Sequence, residues 1–145
     1  MGVCAAKLDN QDAAFLLQSF IDRYPVHSAV SEARFYLGRF YFARKNYKKT
    51  IEHFDEIYES QIQPENVQEY HFKKAYAYFM TKDYDNAKML FRKAQQEEGP
   101  YKDRSTYYLA YMAYQSGQYD VALEDFLTLR GNPDFKDEVP YFLKS

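Results

Sequence analysis

Tryptophan is absent from the 145-residue chain, cysteine occurs once, and glycine and proline occur five times each. With Cys4 alone there is neither an internal disulfide framework nor a Cys-based zinc site. Isolated glycines leave no glycine-rich loop of the kind that cradles phosphate. An excess of one charge is missing too. The formal net charge of −2 leaves no electrostatic footprint for nucleic acid or anionic lipid, so neither is expected as a partner. No apolar run approaches the ~20 residues that span a bilayer, so membrane insertion is not expected. The opening MGVCAAKLD lacks the apolar core of a signal peptide. Met1-Gly2 has the form of a myristoylation start, but Ala6 stands where Ser or Thr is required.

Residues that carry chemistry are scarce as well. His27, His53 and His71 are the only histidines, and none has a second His or a Cys at ligand spacing. His53 and Glu56 lie one turn apart on a helix and read as an exposed polar pair rather than half a metal site. No Ser or Cys stands in a nucleophile context. The carboxylates Glu52, Asp55, Glu56, Glu59, Glu124 and Asp125 read as the solvated coat of outer helices. No catalytic constellation emerges, so the expectation is a non-enzyme without cofactor or metal.

What is abundant is aromatic surface: 16 Tyr and 12 Phe, well suited to packing and to contact surfaces. They recur in a pattern. Tyr119, Ala122, Phe126 and Leu129 step by 3, 4 and 3, which puts them on one helical face. Moving back 35 residues gives Tyr84, Ala87, Phe91 and Ala94, and a further 37 gives Tyr47, Thr50, Phe54 and Ile57. In each copy a Tyr opens a helix, a small residue or Thr50 follows, and a Phe lies a turn further on. Asn46 and Asp83 before the Tyr are good N-caps, Gln118 a poor one. The Phe positions and Tyr84 are expected to face the inside of each helix pair. A first helix precedes each copy, with Leu37, Gly38 and Tyr41, then Lys74, Ala75 and Tyr78, then Leu109, Ala110 and Ala113. The small middle residue lets the partner helix cross closely.

These residues resemble the tetratricopeptide repeat, a unit of about 34 residues with the skeleton Leu-Gly-x2-Tyr, Ala-x3-Phe, Pro. The resemblance spans residues 29–135. It implies an all-α solenoid of antiparallel helix pairs winding into a right-handed superhelix. Departures are the missing Trp of each first helix, Thr50 for Ala, Lys74 for Leu, and the long loop SQIQPEN. A buried unpaired ammonium costs several kcal/mol, so Lys74 must snorkel outward or find a carboxylate. The aromatic-rich wording also resembles long tetratricopeptide proteins of Bacteroidetes-type bacteria, many of them exported, which is compatible with an exported parent protein.

In order, residues 9–25 read as the second helix of a half unit with face Ala13, Leu17 and Phe20, stopped by Tyr24-Pro25. Ser28 is placed to cap a helix over 29–44, and helices are expected over 47–60, 66–81, 84–97, 104–116 and 119–130. Pro64 is either a loop residue or the first residue of its helix. The units are therefore 29–60, 66–97 and 103–131. Gly131 is placed to end the last helix, and 136–145 begins a further one. A chain opening and closing on half units reads as a piece of a longer array, whose exposed ends could self-associate.

The stretch YYLAYMAY (107–114) is apolar or aromatic all round, so it cannot bury only one face. The resemblance puts groove positions at Phe35, Arg39 and Phe42, then Phe72, Tyr76 and Phe79, then Tyr107, Tyr111 and Tyr114. Such an aromatic ladder with one cation suits a peptide or protein partner laid across the rings. Family members that clamp a terminal carboxylate use a Lys and Asn set that Arg34, Phe35, Arg39, Lys73 and Lys74 do not reproduce, so that ligand class is not expected. Two readings remain open: an interaction scaffold with a concave aromatic groove, or a structural spacer or self-assembly segment in which the rings only stack.

Overall fold

The computed structural model describes residues 10–129. Over them the chain forms seven α-helices and no strand: α1 Asn10–Arg23, α2 Val30–Ala43, α3 Tyr47–Asp55, α4 Pro64–Met80, α5 Tyr84–Gln95, α6 Lys102–Gln115 and α7 Tyr119–Leu129. Each helix packs on the next in sequence, and α2 also reaches α4. The result is an all-α helical repeat of hairpins α2–α3, α4–α5 and α6–α7, with α1 against α2.

One turn is used three times. Lys45, Lys82 and Gly117 adopt positive φ of 61°, 68° and 87°. The following N–H of Asn46, Asp83 and Gln118 donates to the carbonyl of Tyr41, Tyr78 and Ala113 at 2.9, 2.9 and 2.8 Å. The N–H of the positive-φ residue itself donates to Phe42, Phe79 and Tyr114. This pair of bonds satisfies carbonyls left over at a helix end. Asn46 and Asp83 then cap the next helix, accepting from the N–H groups of Lys49 and Asn86.

The core repeats with the turn. Phe54, Phe91 and Phe126 are fully or almost fully buried, beside Thr50, Ala87 and Ala122 and facing Gly38, Ala75 and Ala110. In the first unit a Cβ added at Gly38 would stand 2.1 Å from the Phe54 ring, so the ring occupies space that Ala fills elsewhere. Thr50, the departure from a small residue, is dry because its hydroxyl donates to its own helix at Asn46 O, 3.0 Å away.

Several sequence expectations are corrected. In α1 the fully buried face is Ala14 and Ile21, with Leu17 and Phe20 packed at its margin and Ala13 only half-buried. Ser28 caps nothing; the His27 ring accepts the Ala29 N–H instead. Helix α3 stops at Asp55 rather than 60, closing on short-range bonds from Glu56 and Ile57 to His53 and Phe54. A single 3-10 turn at Glu59–Gln61 follows, tied down by Glu59 on His71 and Gln61 on Ser31. Pro64 is the first residue of α4. Tyr84 is 45% exposed, at the margin of its pair. The stop expected at Gly131, the further helix expected at 136–145 and the features read at Met1, Gly2, Cys4 and Ala6 lie outside the described residues.

Candidate functional site: the face of the first helices

Helices α2, α4 and α6 are the first members of their pairs, and their aromatic residues make two repeated contacts with the second members. Phe35, Phe72 and Tyr107 meet the core phenylalanines: Phe35–Phe54 at 5.8 Å, Phe72–Phe91 at 5.7 Å, Tyr107–Phe126 at 6.0 Å. Phe42, Phe79 and Tyr114 meet the opening tyrosines edge-on: Phe42–Tyr47 and Phe79–Tyr84 at 5.7 Å, Tyr114–Tyr119 at 5.3 Å. Edge-to-face geometry at such separations is the favoured one for aromatic pairs.

Burial divides the nine positions expected in a groove. Phe35 and Phe72 are 3% and 5% exposed, so both belong to the core. Their rings pack on the fully buried Phe54 and Phe91. Phe42, Tyr76, Phe79, Tyr107, Tyr111 and Tyr114 are half-buried. They also touch along the array: Phe42–Tyr76 at 5.5 Å and Phe79–Tyr111 at 5.9 Å link one first helix to the next. Tyr108, not among the nine, stacks flat on Phe91 and meets Phe79 and Tyr76 across the same junction. Its signal in the sequence was the all-round apolar character of α6.

Arg39 is engaged. Its Nε and Nη2 donate to the two oxygens of Glu69, each at 2.8 Å, in a two-pronged bridge from α2 to α4. The guanidinium lies over Phe35 at 4.7 Å and Tyr36 at 5.5 Å. Lys73 joins the same carboxylate at 2.8 Å and lies over the Phe42 ring. Burial raises the Glu69 carboxyl, but the hydrogen bonds from Arg39 and Lys73 outweigh it and hold the group below the ordinary range. Tyr101 stacks on Phe72 at 4.8 Å. Its phenol is raised by burial and then by Glu69, with Arg104 and Arg39 acting against. Glu69, Lys73, Tyr101 and Arg104 were not among the expected positions: Arg39 and Glu69 lie 30 residues apart, which leaves no local pattern, whereas Lys73 is four residues from Glu69 on α4.

Lys74 lies where a Leu is usual and finds a carboxylate. Its Nζ is 2.8 Å from Asp55 and 3.2 Å from the Tyr70 hydroxyl, with the side chain 14% exposed. Burial lowers the ammonium, and Asp55 and Tyr70 together more than restore it, for a net upward shift. His53, expected on the surface, is buried and stacks on Tyr41 at 5.6 Å. Burial lowers its imidazole and the neighbouring Arg34 lowers it further. Where the missing Trp would stand, Arg34 reaches His53, His71 reaches Glu59, and Thr106 accepts from Gln95. No group of three or more His, Cys, Asp or Glu among the described residues is placed to hold a metal ion.

Repeated hairpins with a buried Phe, a small crossing residue and a recurring turn geometry therefore run through the described chain. Two tetratricopeptide repeat profiles match it, over residues 5–67 and 69–98. The chain belongs to the tetratricopeptide repeat family. No curated protein and no solved structure matches it. Tetratricopeptide repeats mediate protein–protein interaction and are typically non-enzymatic scaffolds. Among the described residues no helix is long and apolar enough to cross a membrane.

Proposed function

We propose that the first helices of this tetratricopeptide array present a concave aromatic groove to a peptide or protein partner, without catalysis. One observation carries this. After every intramolecular ring contact is made, Tyr76, Phe79 and Tyr111 stay half-buried on consecutive first helices. Rings with one wet edge on a rigid support are the usual anchors of an interface. A second reading, a spacer in which the rings only stack, has its own support in the contacts Phe42–Tyr76 and Phe79–Tyr111 between units.

The two readings separate in one experiment. Peptides enriched from a random dodecapeptide display library on the wild-type chain are tested against variants. Tyr76→Ser and Tyr111→Ser are expected to keep the thermal midpoint near wild type and weaken the enriched peptides at least about fivefold, the range of a hot-spot residue. Phe91→Ala and Phe126→Ala, by contrast, remove buried rings, which costs about 3–5 kcal/mol each, and unfold the array. If Tyr76→Ser unfolds it as thoroughly as Phe91→Ala, the ladder is core and the spacer reading stands.

A further inference from the structure

A cleft of about 500 Å³ lies between α1, α2 and α3, and none of its lining residues belongs to the ring ladder. One wall is the Tyr41 ring, parallel to His53 at 5.6 Å. Its charges come from Arg34 of α2 and from Lys49, Glu52 and Glu56 along and just past α3. Arg34 is half-buried, with Nη1 3.4 Å from His53 Nδ1, and the Lys49 ammonium lies over the Tyr41 ring at 5.1 Å. Neither these cations nor the two carboxylates are ion-paired among the described residues. The His53 imidazole is lowered by burial, then by Arg34 and Lys49 against the pull of Glu52, so the ring is held neutral and its Nδ1 accepts from Arg34. Two cations and two carboxylates thus face one cleft. Most of the five guanidinium donors and the carboxylate oxygens are open to a ligand.

The neighbouring unit shows that the helix pair does not require this set. A shift of 37 residues carries Glu52, His53 and Glu56 onto Met89, Leu90 and Lys93, and Arg34 onto His71, which is bound to Glu59. Leu90 is 5% exposed and belongs to the core. An imidazole in its place carries a desolvation cost that a Leu does not. A buried titratable ring among unpaired charges in a cleft marks a binding site rather than packing.

We infer that this cleft binds a small zwitterion, a free α-amino acid with a polar side chain. Its carboxylate meets Arg34, its ammonium meets Glu52 and Glu56, and its side chain lies toward Gln18 and Lys49. The presence of both signs decides the class. A simple anion gains from Arg34 and Lys49 but faces two carboxylates, and a simple cation meets the reverse; a zwitterion is matched at both poles. A guanidinium suits a carboxylate because its planar fork offers two parallel N–H donors. His53 holds that fork and is a positioning residue, since a pre-set donor loses little freedom on binding. The cleft is separate from the aromatic groove, so the two stand or fail independently.

The test is a chemical-shift titration by NMR with L-glutamine and L-glutamate, set against N-acetyl-L-glutamine, L-glutaminamide and inorganic phosphate. At least one of the two free amino acids is expected to saturate signals of α2 and α3 with a Kd of about 1 mM or tighter. The analogues that lack one pole are expected to bind at least about tenfold more weakly, the loss of one charge-assisted hydrogen bond. Arg34→Gln and Glu56→Gln should each weaken the amino acid by a similar factor with the thermal midpoint near wild type. His53→Leu, which copies Leu90, should keep or raise the midpoint while weakening the ligand at least about threefold. A histidine with a purely structural role would not give that split. Absence of saturable shifts with both amino acids overturns the inference. Equally tight binding of a blocked analogue or of phosphate overturns it in favour of a site for one charge alone. Unchanged affinity in either Arg34→Gln or Glu56→Gln overturns it too, because the ligand then lacks one of its two poles in this cleft.

Discussion

At the scale of single residues, the first unit solves its helix crossing differently from the others. Gly38 faces a Phe54 ring that lies nearly parallel to Phe35, at 19°. Ala75 and Ala110 accompany rings met more edge-on, Phe72–Phe91 at 61° and Tyr107–Phe126 at 69°. A methyl at Gly38 must turn Phe54, which is fully buried and also packs on Tyr70 at 5.2 Å. Gly38→Ala is therefore expected to destabilise the chain by about 1–3 kcal/mol, the usual cost of overpacking, as read by urea denaturation. A gain in stability would show that the ring turns without strain. The Lys74–Asp55 pair gives an ordering instead of a magnitude. Lys74→Leu leaves a carboxylate that is already 46% exposed, and the Tyr70 hydroxyl still donates to Phe54 O. Asp55→Asn leaves a largely buried ammonium without its anion, the costlier half of a broken pair. Asp55→Asn should lose more stability than Lys74→Leu, and the reverse order would mean that Lys74 is hydrated. The same residues mark what sequence could tell. That Lys74 had either to snorkel outward or to find a carboxylate followed from the cost of burying an ammonium. That the carboxylate was Asp55, or that Arg39 was bound to Glu69, depends on which helices stack and at what offset, and no local pattern encodes that.

At the scale of elements, what could be read from sequence was the period and the faces. Steps of 3 and 4 identified Phe54, Phe91 and Phe126 as core, and the caps Asn46 and Asp83 placed the starts of α3 and α5. Helix ends were less legible. Helix α3 ends at Asp55 because Ile57 turns into the core, Glu59 bonds to His71 of the next unit and Gln61 accepts from Ser31 of α2, all tertiary causes. Tyr84 was misplaced because one helical face spans core and margin, and periodicity does not distinguish the two. The shared turn carries its own strain, also invisible in the sequence: Lys45 and Lys82 hold the left-handed conformation that Gly117 adopts freely. A side chain there costs on the order of 1–2 kcal/mol, partly offset by the ~0.5–1 kcal/mol of chain entropy that glycine loses on folding. Lys45→Gly and Lys82→Gly are thus each expected to raise stability by up to about 1 kcal/mol. Gln118, which precedes α7, is a poorer N-cap residue than Asn46 or Asp83, so Gln118→Asp should add about 1 kcal/mol. Thermal melts of the three variants check both; an unchanged midpoint in all of them would mean that hairpin turns do not limit stability here.

At the scale of the molecule, both junctions between units contain ring contacts but they differ in their ion pairs, and pH should tell them apart. Between the first and second units lie Arg39–Glu69 and Glu59–His71, both using carboxylates, along with Lys74–Asp55. Between the second and third lie rings, Phe91–Tyr108 and Phe79–Tyr111, with Gln95–Thr106. Glu69 is held below the ordinary carboxyl range by Arg39 and Lys73 against the upward pull of burial, and Glu59 is held low chiefly by its hydrogen bond to His71. A carboxyl whose folded pKa lies below its unfolded one stabilises fully above the unfolded value. That stability is lost as pH falls through the folded one. His53, lowered by burial and by Arg34, acts in the same direction in the first unit: its neutral form is favoured, so stability there begins to fall as pH drops below the ordinary imidazole value. In the third unit Asp125 is raised by burial and by Glu124. Its protonation favours the folded state, so acid strengthens that end rather than weakening it. Because each unit of a solenoid touches only its neighbours, such differences stay local instead of averaging over the chain. Hydrogen exchange followed from pH 7 toward pH 4, corrected for intrinsic rates, is therefore expected to show α2 and α3 losing protection before α6 and α7. In Glu69→Gln that pH dependence should be blunted, because one of the titrating groups is gone. Simultaneous loss across all helices would show that the junctions are coupled tightly enough for the array to open as one unit, and that the carboxylates between the first two units do not set its weakest point.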